Sequence, residues 1–270
     1  MRVAFVQFDP QFGQISDNIE KATSMMASID ADLIVLPELS FSGYAFTSRN
    51  ETASLAESVP DGFTMKRMRE LSARLDCGIV YGFPETHKGS LYNSCAFVSP
   101  GSEIEIYRKL HLYYYEKEWF DSGDKMLNVI EFRGCRVGMM ICYDWIYPEV
   151  ARTLALRGAQ LICHPANLVM PYCQSSMITR CLENRIFAVT ANRTGHEVRG
   201  DFDFEFTGES QILSTEGEIL YRASKDKEEC GVADIDSRVS ENKVINEKND
   251  LWKDRRTEFY GMGTDGEEKS

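Results

Sequence analysis

Val137-Gly138-Met139-Met140-Ile141-Cys142-Tyr143-Asp144-Trp145-Ile146-Tyr147-Pro148-Glu149 reads as a strand that stops at a cysteine and a helix that starts at a proline. The apolar run Val137–Ile141 has the length of a buried strand. Proline suits the first turn of a helix, where its missing N–H is not needed. Cys142 therefore falls in a strand-to-helix turn. Such a turn exposes its side chain and aims backbone N–H groups at the same point. Ligands of α/β folds bind beyond the carboxyl ends of strands. That position makes one thiol of eight a candidate nucleophile, although a lone cysteine at a strand end is more commonly a small buried hydrophobe.

The same alternation extends outward in both directions. Upstream, Val3–Phe8 is a strand. Asp17 is placed to cap a helix whose apolar face is Ile19, Ala22, Met26 and Ile29. Asp32–Leu36 is a buried strand ending at Pro37. After a polar loop, 60–75 carries a second helical face (Phe63, Met68, Leu71, Leu75), and strands follow at 78–83, 91–98 and 104–107. Downstream, strands at 129–132 and 136–141 lead into the Pro148 helix, which ends at Gly158. A strand at 161–164, a helix over 172–185 and a strand at 187–191 come next. A hairpin at 210–221 and a last strand at 231–235 complete the pattern. Two similar halves of strands alternating with helices imply helix-covered sheets. The expectation is an α/β fold: one domain over 1–236, a four-layer αββα sandwich of two mixed sheets with pseudo-twofold halves. Residues 237–270 read as an extended, charged C-terminal tail whose large anchors are Trp252, Phe259 and Tyr260 and which docks on another surface, a second subunit being the candidate. The end, Gly266–Ser270, reads as disordered.

Two further reactive side chains occupy strand ends. Glu38 follows Leu33-Ile34-Val35-Leu36-Pro37, and Lys109 follows Ile104-Glu105-Ile106-Tyr107-Arg108. Singly, each reads as a solvated charge. Together with Cys142 they form a chemistry. A thiol with a pKa of about 8.5 is only a few per cent thiolate at neutral pH. A nearby carboxylate removes its proton, a role worth about 10²–10⁴-fold. A lysine beside the sulfur stabilises first the thiolate and then the developing oxyanion. The product is a thioester that water hydrolyses, and no cofactor is required.

Composition excludes several other classes. Net charge is −12, which repels phosphate backbones and anionic membrane surfaces, so neither nucleic acid nor membrane is an expected partner. No apolar stretch is long enough for a span, and Met1–Gln7 lacks the features of a signal peptide, so the reading is cytoplasmic. Eight cysteines without Cys-x-x-Cys spacing and four histidines without paired spacing argue against zinc or any other metal.

Pro37-Glu38, Tyr107-Arg108-Lys109-Leu110-His111-Leu112 and Ile141–Glu149 resemble, in order and separation, the three signatures of the nitrilase superfamily. Similar stretches are Leu91-Tyr92-Asn93-Ser94, Phe120-Asp121-Ser122-Gly123-Asp124, His164-Pro165-Ala166-Asn167 and Glu183-Asn184-Arg185, so the resemblance covers essentially the whole chain. It implies an αββα fold assembled into homodimers. It also implies Glu38 as base, Lys109 as oxyanion stabiliser, Cys142 as nucleophile and the Tyr143 backbone N–H as second oxyanion donor. Many members carry another glutamate between the lysine and cysteine motifs. Glu116 matches it best, because it precedes Lys117, and Glu118 is the rival.

The resemblance leaves the substrate open. Tyr143-Asp144-Trp145 follows the nucleophile where long nitrilases place Trp-Glu, which points to short members acting on small amides, nitriles or N-carbamoyl amines with release of ammonia. Tyr44, Tyr113, Trp145 and Asn167 are candidate pocket residues, with Tyr114, Trp119 and Tyr172 nearby in sequence. Arg152, Arg185 and Arg193 are candidate carboxylate anchors. His111 or His164 would be the partner in a rival Cys-His arrangement. The alternatives are an acyltransferase using the same thioester and a non-catalytic interaction protein that kept the fold.

Overall fold

The computed structural model describes residues 1–260. The first half comprises β1 (Arg2–Gln7), α1 (Ile15–Met26), β2 (Leu33–Val35), α2 (Arg49–Leu55), α3 (Phe63–Leu75), β3 (Gly78–His87), β4 (Ser90–Val98) and β5 (Glu105–Arg108). A short α4 (Glu116–Trp119) leads to β6 (Val129–Phe132), β7 (Cys135–Met139), α5 (Pro148–Leu156), β8 (Leu161–Ala166), α6 (Cys173–Asn184) and β9 (Phe187–Asn192). A hairpin of β10 (His196–Arg199) and β11 (Phe202–Glu205) stands apart. β12 (Gln211–Leu213), β13 (Ile219–Arg222) and β14 (Glu229–Asp234) follow.

The strands build two six-stranded sheets, ordered β14-β1-β2-β3-β4-β5 and β13-β12-β9-β8-β7-β6. Each has three parallel strands at its centre, β1-β2-β3 and β7-β8-β9, flanked by antiparallel neighbours. Side chains of a strand alternate between faces, so a strand covered on both sides is apolar throughout. In β1, Ala4 and Val6 pack with Ile19, Ala22 and Met26 of α1 and Met65 and Met68 of α3. Val3 and Phe5 join Val137, Met139, Cys163 and Val189 of the other sheet. Helices α5 and α6 cover the second sheet through Val150, Ala151 and Leu154 and through Met177 and Cys181. The result is the expected α–β–β–α sandwich.

Some local expectations are corrected. α1 starts at Ile15 after Gln14, so Asp17 is an acidic residue of the first turn and no cap. The loop after Pro37 contains α2, capped by the Ser48 hydroxyl accepting from the Glu51 N–H. The β10–β11 hairpin had no counterpart in the sequence reading. The second helix begins at Phe63, three residues after Pro60. The tail packs on its own chain at least as far as Trp252. The Ser240 hydroxyl donates to Gln160 O, and Lys243 Nζ donates to the carbonyls of Asn184 and Arg185 at the end of α6, where a cation complements the helix dipole. Arg152 and Lys243 both lie over the Trp252 ring. The expected disorder at Gly266–Ser270 lies outside the described residues. Among the described residues, no helix is long and apolar enough to cross a membrane.

One contact of the first sheet bears directly on the site. Gly82 in β3 faces the turn that carries Glu38: its N–H donates to Pro37 O and its carbonyl accepts from the Ser40 N–H. A Cβ here would lie 2.4 Å from Leu39 N and 2.6 Å from Glu38 Cα, against backbone that has no room to yield. Gly82→Ala is expected to destabilise the fold by about 1–3 kcal/mol, the usual cost of overpacking. Turnover of the surviving folded protein should fall as well. Urea unfolding and activity per folded molecule check this, and wild-type values for both would contradict it.

Candidate active site

Glu38, Lys109 and Cys142 come from three separate strand ends. Glu38 sits in a tight turn after β2, where Leu39 adopts φ 47° and the Ser40 hydroxyl donates to Pro37 O at 2.5 Å. Lys109 follows β5, and its N–H donates to Asn93 O on β4 at 2.8 Å. Cys142 opens a 3-10 helix over Cys142–Ile146 between β7 and α5.

The three meet in a buried charge cluster. Lys109 Nζ donates to Glu38 Oε1 at 2.7 Å and to Glu116 Oε1 and Oε2 at 2.8 and 2.7 Å. The side chains of all three have no solvent exposure. Glu116 is thus the glutamate brought to the lysine, while Glu118 is exposed. Asn93 Nδ2 donates to the same Glu38 oxygen at 2.7 Å. The other oxygen, Oε2, is buried with no hydrogen-bond partner among the described residues. The Tyr44 hydroxyl donates to Glu116 Oε1 at 2.7 Å, and the Tyr113 N–H donates to Oε2 at 3.3 Å.

Burial opposes every charge in this cluster, and the neighbours decide the outcome. Burial alone would neutralise Lys109, but Glu116 and Glu38 outweigh it and hold the ammonium well above its ordinary range. Burial, with Glu38 adding to it, pushes Glu116 up to about 7 against the pull of Lys109. Burial and the Glu38 charge keep the Cys142 thiol well above its usual value, opposed by Lys109 and by a hydrogen bond from the Asn167 backbone. Cys95, Cys163 and Cys173 are also raised by burial, but Cys142 alone among these four faces both an ammonium and two carboxylates.

The turn at Cys142 is strained and heavily braced. Cys142 has φ 40°, a left-handed conformation unfavourable for a residue with a side chain. Asp144 holds the turn from beneath. Its carboxylate accepts from the Ile141 N–H at 2.9 Å, the Tyr107 hydroxyl at 2.7 Å and the His111 N–H at 3.2 Å, and it meets His111 Nδ1 at 2.8 Å. His164 holds it from the side. Its Nε2 lies 2.9 Å from Cys142 O, a pure acceptor, so Nε2 carries the hydrogen, and Nδ1 accepts from the Thr190 hydroxyl at 3.1 Å. Burial pushes His164 down to about 4, so it is neutral at pH 7. Neither histidine is placed to act as a Cys-His base: His164 grips the backbone carbonyl, and His111 engages Asp144 and stacks on Tyr147.

A narrow cleft opens onto the sulfur. Tyr113, Tyr143, Trp145, Asn167, Leu168, Val169 and Met170 line it with Cys142, and none of them carries a charge. Both side-chain polar atoms of Asn167 are buried without a partner. Tyr113, Trp145 and Asn167 thus lie where the sequence reading put them. Tyr44 does not line the cleft; it is buried behind Glu116. Tyr114 and Tyr172 are exposed and Trp119 is buried in a separate aromatic cluster. The three candidate anchors lie elsewhere: Arg152 donates to Glu183 O, Arg185 pairs with Glu216, and Arg193 pairs with Asp9 and Glu197.

Known proteins resemble this chain in sequence and in fold over nearly its whole length. The family model described as carbon-nitrogen hydrolase matches residues 2–243. The chain belongs to the carbon–nitrogen hydrolase family. A nitrilase of Pyrococcus abyssi is 44% identical over 96% of this chain and 99% of its own length. An (R)-stereoselective amidase of a Pseudomonas species is 33% identical over 98% of this chain and 95% of its own. Among solved structures, a carbon-nitrogen hydrolase from Helicobacter pylori superposes with a TM-score of 0.83 at 23% identity, covering 96% of both chains. This carbon–nitrogen hydrolase is therefore an enzyme of the nitrilase and amidase kind, with the αββα fold of its relatives.

The sequence reading missed Asn93, Asp144 and Glu197 as supporting residues of the hydrolase site. Asn93 offered one signal, an amide side chain within a strand that is otherwise mostly apolar or small. His164 yields a test with a definite sign. Its folded pKa lies below the unfolded value of about 6.5, so its contribution is complete above pH 6.5 and is lost as pH falls toward 4. The loss amounts to about 3 kcal/mol at 1.36 kcal/mol per unit. Urea midpoints of the wild type should fall over this range, and those of His164→Gln should fall less steeply. Equal slopes would contradict the assignment. His164→Ala should retain substantial turnover, and loss as deep as that of Cys142→Ala would contradict a role confined to bracing the turn.

Proposed function

We propose that Cys142 attacks the carbon of a small uncharged amide or nitrile, with Glu38 as general base. The observation that carries this reading is the half-committed Glu38 carboxylate. Oε1 is spent on Lys109 and Asn93, while Oε2 is buried and unpartnered, and the Glu38 charge acts on the Cys142 thiol. Such an oxygen is poised to take a proton. For an amide, the thiol proton passes to Glu38 as sulfur bonds to the carbonyl carbon. Lys109 and the Tyr143 N–H, in a first helical turn without intrahelical partners, stabilise the oxyanion. The tetrahedral intermediate expels ammonia with the proton from Glu38 and leaves a thioester. Water, deprotonated by the same carboxylate, releases the acid and restores the thiol. Glu116 keeps Lys109 charged and in place. For a nitrile, sulfur adds to the C≡N carbon, and the thioimidate takes up water before ammonia leaves.

The uncharged cleft narrows the substrate. A cationic or carboxylate-bearing acyl part would lose its hydration there with no opposite charge among the lining residues, a cost of several kcal/mol. Short apolar amides and nitriles match the character of this lining, with Asn167 free to bond a polar group. N-Carbamoylputrescine amidases of plants are 27–29% identical to this chain, but a cationic tail finds no partner in this cleft. The chain is also proposed to act as a homodimer in the cytoplasm, with residues beyond Ser237 near the contact; exposed Phe259 and Tyr260 at the end of the described tail support this.

Four outcomes are expected. In an ammonia-release panel, a short aliphatic amide or dinitrile should turn over at least about tenfold faster than amides ending in a carboxylate or an ammonium, by the cost of one unpaired charge. No ammonia from any neutral member, with folded protein, would refute the substrate reading. Glu38→Gln should accumulate an acyl-Cys142 adduct by intact mass, and Cys142→Ala none. The kcat/KM profile should fall on the acid side with an apparent pKa near 7, as the Glu116 cluster takes up a proton. The limb should move to lower pH in Glu116→Gln, and an unmoved limb would assign it elsewhere. Sedimentation showing a monomer at micromolar concentration would defeat the dimer.

A further inference from the structure

We propose that Tyr44 is a positioning residue of this reaction: its hydroxyl fixes Glu116 against Lys109, and the β10–β11 hairpin holds Tyr44 in place through Glu197. This rests on the reading that Glu116 keeps Lys109 in position.

Tyr44 is buried, and its hydroxyl donates to Glu116 Oε1, the oxygen that also accepts from Lys109 Nζ. The two donors approach one carboxylate oxygen from different elements, so the phenol limits where Glu116 can sit. The backbone of Tyr44 is fixed independently. Glu197 of β10 accepts from the Tyr44 N–H at 3.1 Å and the Ala45 N–H at 2.5 Å. Arg193 pairs with that carboxylate at 2.5 Å and with Asp9 at 2.5 Å. Asp9, Arg193, Glu197, Tyr44, Glu116, Lys109 and Glu38 thus form one chain of polar contacts from a partly exposed carboxylate to the proposed base. The Tyr44 ring is boxed edge-on by Trp119, Phe204 and Phe206, with centroids 6.1, 5.4 and 6.0 Å away. Phe204 belongs to β11, so the same hairpin grips both the backbone and the ring. A phenol needed only for packing would have no use for this second anchorage.

The charges facing Glu116 are Lys109, Glu38, Cys142 and Tyr44, with the Tyr113 N–H completing its contacts. Of these, Tyr44 and Lys109 favour the ionised carboxylate by hydrogen bonding. Burial and the adjoining carboxylates keep the phenol protonated, so it serves only as a donor at physiological pH. Removing it raises the proton affinity of Glu116 and frees the carboxylate to swing away from Lys109.

The test compares Tyr44→Phe, Glu116→Gln and 3-fluorotyrosine placed at position 44, using the full chain and a neutral amide. Tyr44→Phe should lower kcat by about tenfold or more, the size of a lost hydrogen bond to a charged group, with KM little changed. Its acid limb in kcat/KM should move to higher pH by about one unit. Fluorotyrosine, a stronger donor with the ring retained, should move that limb the other way, and it keeps the test open if Tyr44→Phe does not fold. A Tyr44→Phe enzyme slowed without a shifted limb, or unslowed beside an impaired Glu116→Gln, would overturn the role of Tyr44 alone. A Glu116→Gln enzyme with wild-type turnover would overturn the underlying reading as well.

Discussion

A lysine ammonium cannot sit in a dry protein interior unless carboxylates surround it, and Lys109 has two. That requirement organises the molecule. Glu38 must arrive from the end of β2, Glu116 from the short α4, and Lys109 from the end of β5, all to within hydrogen-bond distance of one nitrogen. Breaking a buried ion cluster by removing one partner costs about 3–5 kcal/mol, because the remaining charge is left unpaired. The same arrangement is one negative charge in excess. The excess lies beside a thiol, where the two carboxylates favour keeping the proton of Cys142 and Lys109 opposes them.

Rigid backbone makes such convergence possible. Glu38, Lys109 and Cys142 each sit just beyond a strand whose neighbours pair with it over several residues, and the two sheets press their inner faces together. The turn at Cys142 places the backbone of the thiol residue itself in an unfavourable conformation. Asp144 with four contacts and His164 with two hold it there, a local cost met by polar bracing. Loops alone would not keep the sulfur aligned.

The two halves, the sheet strands and the three motif residues were legible in the sequence because each leaves a local mark. Apolar runs mark strands buried on both faces, and a reactive side chain directly after such a run marks a candidate site. What escaped depends on distance along the chain. Tyr44 meets Glu116 from 72 positions away, and Glu197 grips Tyr44 from 153. Neither carries a periodic signal, so Tyr44 was assigned to the wall of the cleft when it stands behind it. The short α2 hid in a polar stretch because its stability comes from the Ser48 cap and from Glu51, with few buried apolar residues. Glu116 could be favoured over Glu118 only by resemblance; burial separates them in space.

The pairing of β14 with β1 joins Arg2 to Asp234 and Gln7 to Glu229. During synthesis, β1 leaves the ribosome before every other described strand and its partner after them. For that interval the edge of β1 that β14 will cover has no strand to close it, although its other edge can pair with β2. An open strand edge invites pairing with other chains. The hydrolase is therefore most exposed to misassembly while it is being made, and slowing translation late in the chain should lengthen that window.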